Sequence, residues 1–177
     1  QTTFALEGSI FVAGSAIQWL RDGLDFFKDS SETEEMAKSS SEDSKVMVIP
    51  ALTGLGAPYW DPNARGAIFG LTRDTGKEDI TRATLEAIAY QSRDLLEAMN
   101  NDNASFQKLM IDGGMVINDW FSQKLSNALN VEVIRPKIIE TTSLGAAFLA
   151  GLQAGIFEDI KSLESSKKID KTFTPTE

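Results

Sequence analysis

The stretch of this sequence best suited to hold a ligand is Ile111-Asp112-Gly113-Gly114, followed by Met115-Val116-Ile117-Asn118 and an amphipathic run. A strand that ends in two glycines presents bare backbone at the carboxyl edge of a sheet, where a planar ring or a ribose can approach without meeting a side chain. The helix that follows adds N–H groups with no partner inside the helix, and ligands of α/β proteins gather at this edge. Asn118 carries a donor and an acceptor for a base. The plainer reading of the same residues is a tight turn with Asn118 as a helix cap.

A second glycine opens an earlier helical pattern, Gly14-Ser15-Ala16-Ile17-Gln18. Gln18 lies one turn beyond Gly14, so both sit near one helix start, either as ligand contacts or as an ordinary start with a surface Gln. In the glycine- and proline-rich run from Thr53 to Gly76, Trp60, Asp61, Arg65 and Arg73 could meet a substrate, or Tyr59 and Trp60 could pack while the charges hold the loop. Asp112 is expected to orient its loop by accepting backbone N–H bonds. Arg82, Glu86, Arg93 and Glu97 read as a solvated helix face.

Several chemistries are excluded. The 177 residues contain no Cys and no His, so thiolate chemistry and Ser-His-Asp catalysis are closed to this sequence. It has no Walker P-loop, no GxGxxG, and no Asp/Glu spacing suited to a metal. Seventeen Lys+Arg against 26 Asp+Glu, a formal charge of −9, argues against nucleic acid and anionic membrane as partners. No apolar run reaches the roughly 18 residues that a membrane helix needs. With no basic, apolar leader, the expected location is the cytoplasm.

These residues need a scaffold, and the pattern supplies one. At 42% hydrophobic and 24% charged the composition is globular, and the length suits one domain over 1–177. Residues 3–12 read as strand. From Ala13 the period turns helical, with Ile17, Leu20, Leu24 and Phe27 on one stripe. Residues 28–45, Ser-rich and acidic, read as a solvated excursion with room for one short helix. VMVIPAL (46–52) reads as a buried strand, and 53–76 as a loop too long to be idle. Thr75-Gly76-Lys77-Glu78 suggests a capping box before a long helix to about Asn100. KLMID (108–112) and VEVIR (131–135) read as strands around a helix capped by Asn118. SLGAAFLAGLQA (143–154) reads as a helix whose small residues suit close packing, ended by Gly155. A polar tail is expected from about 158. The alternation argues for α/β.

Beyond these local readings, PALTGLGAPYWDPNARGAIFGLTR with the helix ITRATLEAIAYQSRDLLEAM resembles the glycerol kinases, a branch of the FGGY family of sugar and polyol kinases. Gly66-Ala67-Ile68-Phe69-Gly70-Leu71, Asp79-Ile80 and Ala83-Thr84-Leu85-Glu86 match the family's C-terminal signature. The likeness continues through 5–23, 109–121 and 141–152. The resemblance implies an actin-like ATPase domain of the ribonuclease-H type, the C-terminal FGGY domain lacking its first hairpin. It implies that Gly14, Gln18, Gly114 and Asn118 are nucleotide contacts, with ATP or ADP and Mg²⁺ as cofactors and glycerol as acceptor. The acceptor site, the base carboxylate and a partner N-terminal domain are expected upstream of Gln1, which would leave the chain inactive alone and its parent a homo-oligomer. No GTG or FGDQ run occurs in these residues, so the resemblance implies that the family's first phosphate-binding hairpin is not among them. Two other readings stand beside this one: a related kinase of xylulose, ribulose or another polyol, and a non-catalytic interaction fragment.

Overall fold

A computed structural model describes residues 5–102, 106–160 and 168–176. Its organising element is a long helix, α3 (Lys77–Asn101). Gly76 donates its N–H to the Asp79 carboxylate at 2.9 Å, which satisfies one of the donors left open at a helix start. The expected box is thereby shifted, since Thr75 serves Thr72 N–H at 2.8 Å instead. Asp79 also accepts from Ser40 Oγ at 2.8 Å and Ser41 N–H at 3.2 Å. These N–H and O–H donors, Gly76 first, hold its carboxyl below the usual carboxylate range although it is buried.

Around α3 pack α1 (Gly14–Asp22), α2 (Thr33–Ser39) and α4 (Asp119–Leu129). Ala16, Ile17 and Leu20 of α1, Met36 and Ala37 of α2, and Phe121 and Leu125 of α4 meet Leu85, Ile88 and Ala89 in one buried cluster. The stripe expected to include Leu24 ends earlier, because α1 stops at Asp22 and leaves Leu24 exposed. Residues 28–45 stay largely exposed around one short helix, as expected, but that helix buries one face. A 3₁₀ turn (Ser30–Glu32) leads into α2, whose Thr33, Met36 and Ala37 are buried. Glu86 likewise is drawn between Arg82 and Lys124, each at 3.3 Å, whereas Arg93 and Glu97 form the exposed pair expected.

The described residues hold two small sheets. β1 (Met47–Ile49) pairs antiparallel with β2 (Ala67–Phe69), a strand hidden inside the presumed loop. β1 is not the buried strand expected, since Met47 and Ile49 point outward. The second sheet has the order β3 (Lys108–Met110), β4 (Glu132–Pro136), β5 (Ile169–Phe173). β3 and β4 are parallel, with Leu109 opposite Val133, and α4 is their crossover. β5 runs antiparallel to β4 and buries Phe173, so the polar tail contributes an edge strand.

Residues 5–12 form no strand, and 3–4 lie outside the described residues. Among the described residues no strand pairs with this segment; Ser9 O instead accepts Ala57 N–H at 3.1 Å. The last helix, α5 (Thr141–Gln153), ends as expected with Gly155 at φ +72°. Its small residues find little to pack against: Gly151 lies under Phe157, but Gly145 faces open space.

Candidate functional site: a cleft between two helix starts

β3 delivers Asp112, Gly113 and Gly114 to the carboxyl edge of its sheet. Gly113 takes φ +85°, a conformation that costs glycine nothing and an L side chain much. Its N–H is held by Ile139 O at 2.8 Å. Asp112 accepts from the Thr141 hydroxyl at the start of α5, so it anchors the loop through a side chain and not through the backbone bonds expected. A 3₁₀ turn (Gly114–Ile117) then leads to α4, with Asn118 as N-cap accepting Phe121 N–H at 2.8 Å.

Across from this corner lies the start of α1. Its N-cap is Ala13, which offers no side-chain acceptor to the first-turn N–H groups. Between the two helix starts is a cavity of about 450 Å³. Gly14, Gln18, Gly114 and Asn118 all line it, so the fold brings together the four residues singled out in the sequence. A Cβ built on either Gly14 or Gly114 would meet nothing within 4 Å, so both glycines offer backbone to open space.

Asn118 is more constrained than its sequence suggested. It is buried, and besides capping α4 it donates Nδ2 to Thr33 Oγ1 at 3.1 Å. One Nδ2 hydrogen and one Oδ1 lone pair remain for a ligand. The readings of cap and of ligand contact are therefore compatible, and the cap sets the geometry.

The third wall was not foreseen. Asp29, Ser30, Ser31, Thr33 and Glu34, from the segment read as solvated, line the cavity together with Arg21. Glu34 accepts Asp119 N–H at 3.0 Å and pairs with Lys38 at 2.8 Å, which ties this wall to the first turn of α4. Asp29 accepts Ser31 N–H at 2.8 Å while Glu32 accepts Asp29 N–H at 2.8 Å, a reciprocal capping box. The Ser31 N–H, ahead of its hydroxyl, keeps the Asp29 carboxyl below its ordinary range. The D-x-x-E spacing of Asp29 and Glu32 was the available signal for a helix start here.

The long loop contributes nothing to this cavity. Asp61 accepts from Asn63 and Ala64 N–H, and Arg65 donates to Pro62 O and Ala64 O, so these charges shape their own loop. Trp60 stacks edge-on with Phe11 at 6.2 Å. Among the described residues no group of three or more His, Cys, Asp or Glu is placed to hold a metal. No described helix is long and apolar enough to cross a membrane.

The architecture is that of an α/β domain with a cleft at the carboxyl edge of a parallel strand pair, the edge where ligands of such folds gather. Residues 1–154 match the C-terminal domain of the FGGY family of carbohydrate kinases, and the chain belongs to that family. It is 57% identical over 176 residues to a glycerol kinase of Marinomonas sp., covering 99% of this chain and 36% of that protein. With a glycerol kinase of Alteromonas mediterranea it shares 56% over 175 residues, 99% of this chain and 35% of the other. Among solved structures it resembles Plasmodium falciparum glycerol kinase with ADP, at TM-score 0.79 and 34% identity, over 92% of this chain and 33% of that one. A ligand-bound xylulose kinase of Lactobacillus acidophilus superposes with TM-score 0.77 at 27% identity, over 96% of this chain and 35% of that one. The fold is thus the actin-like ATPase fold of these kinases. The chain spans about a third of the length of the relatives it matches.

Proposed function

We propose that this chain is the nucleotide-side domain of an ATP:glycerol phosphotransferase. The parent enzyme moves the γ-phosphoryl group of ATP to a terminal hydroxyl of glycerol, giving sn-glycerol 3-phosphate and ADP. The observation that carries the reading is the convergence of Gly14 and Gln18 with Gly114 and Asn118 on one cavity, in a chain 57% identical to a glycerol kinase. In this assignment the two bare glycines admit the flat adenosine moiety. Gln18 and the spare valences of Asn118 supply its polar contacts.

Phosphoryl transfer needs nucleophile, metal and γ-phosphate held in line. The acceptor site and the base carboxylate are assigned to the remaining two thirds of the parent protein, so the chain by itself is inactive. Glycerol is preferred over xylulose as acceptor because 57% identity to a glycerol kinase stands against 27% to a xylulose kinase. The parent is placed in the cytoplasm, where ATP is available, as a homo-oligomer.

Calorimetric titration of the folded chain with Mg-ADP tests the site. Saturable binding supports an autonomous adenosine site in this domain. A chain with a native circular dichroism spectrum that binds no ADP removes that assignment and favours an interaction fragment. Assay of the full-length enzyme with glycerol and with xylulose decides between acceptors.

A further inference from the structure

Behind the cavity loop sits a group that no motif announces. Arg135, on β4, is nearly buried, with 12% of its side chain exposed. Its Nη1 donates to Val116 O at 2.8 Å and Ile117 O at 3.1 Å, the last carbonyls of the turn that begins at Gly114. The same nitrogen reaches Asp119 Oδ1 at 2.8 Å, in the first turn of α4. Nε donates to Asp170 Oδ2 on β5 at 2.8 Å, and the guanidinium lies over the Phe173 ring, 5.6 Å from its centre.

A loop that opens to a ligand through glycines has no side chains there to pack it, as the open space beside Gly113 and Gly114 shows. Such a backbone is free to wander unless something holds it from behind, and binding must then order it at a cost. Arg135 is placed to do this. Its planar fork spans the turn carbonyls, the α4 carboxylate and the β5 carboxylate at once, a geometry that a lysine ammonium cannot reproduce.

We infer that Arg135 is a positioning residue for the nucleotide site, fixing the Gly114 backbone and the Asn118 amide without touching the ligand. The inference rests on the nucleotide-site assignment above.

The test compares Arg135→Lys and Asp170→Asn with wild type in the full-length enzyme, by ADP titration and steady-state kinetics. Arg135→Lys is expected to raise the Kd for ADP and the KM for ATP about tenfold, in the range typical of residues that orient a ligand's contacts. The KM for the phosphoryl acceptor stays near the wild-type value. A merely structural role lowers the active fraction, and kcat with it, while leaving the KM for ATP in place. Asp170→Asn keeps the carbonyl bonds and is expected to raise the Kd about twofold to threefold. A folded Arg135→Lys enzyme with wild-type affinity for ADP overturns the inference. If Arg135→Lys does not fold, Asp170→Asn decides, and an unchanged Kd there overturns it. A wild-type enzyme that binds no ADP overturns the nucleotide-site assignment itself, and this inference with it.

Discussion

Two glycine-rich segments lie before helices in this chain, and they use glycine in opposite ways. In the loop before α3, a Cβ on Gly54 would fall 2.8 Å from Asp61 O, and one on Gly56 would fall 2.7 Å from Ser9 O. Those glycines let the chain pack on itself. At the cavity, Gly14 and Gly114 have nothing within 4 Å of a built Cβ. A motif rich in Gly is thus no site by itself; what the missing side chain leaves room for decides.

The contrast is sharpest in stability. Gly54 combines φ +94° with that close approach, so Gly54→Ala is expected to cost about 3 kcal/mol, read from the urea midpoint at constant m-value. A variant as stable as wild type would break the contrast at its self-packed end.

The cavity side depends on anchors instead. Asp79 ties α2, which continues the 28–34 wall, to the start of α3. Asp79→Asn keeps one acceptor oxygen where two are used, and is expected to cost about 2 kcal/mol at neutral pH. Because the folded-state pKa of Asp79 is lowered, its contribution is fully present above the unfolded carboxylate value, about 3.9, and is lost as pH falls through the lower folded value. The gap between wild type and Asp79→Asn in urea titrations should therefore close below about pH 4, and a gap independent of pH would assign the effect to packing.

Gly114→Val, in the full-length enzyme, should raise the KM for ATP about tenfold by filling the space left for ligand, equivalent to about 1.4 kcal/mol. An unchanged KM would remove Gly114 from the site. The smallest effect expected is that of Gly114→Ala on folding, within about 0.5 kcal/mol by thermal unfolding, since no neighbour is crowded and its φ is not in the left-handed region. A loss like that of Gly54→Ala would erase the comparison.

The helices α3, α4 and α5 were legible because caps and a 3.6-residue period are local properties. Asn118 before Phe121, and Gly155 after Gln153, act through bonds to residues within a few positions. Most of the misses depend on tertiary partners. β2, β5 and the outward face of β1 depend on which strand or helix lies alongside, and the three residues each of β1 and β2 carry too little pattern to announce a partner. The buried face of α2 was masked by its Ser-rich, acidic neighbours, although the Asp29–Glu32 box marked the helix start.

For the site, the residues themselves determined the chemistry available. Without Cys or His the cavity offers a ligand only backbone, amide, hydroxyl, carboxylate and guanidinium groups as polar partners. The likeness of its runs to the FGGY kinases could be read directly along the chain. Only the tertiary structure decided that Gly14 and Gly114, so distant in sequence, face one another across a single cavity. It alone brought Asp29 to Glu34 in as a wall and Arg135 in as a brace. The physical reason is that caps and helical periods are settled within a turn or two of chain. A cleft exists only where elements remote in sequence bury their apolar faces together and leave their glycines uncovered.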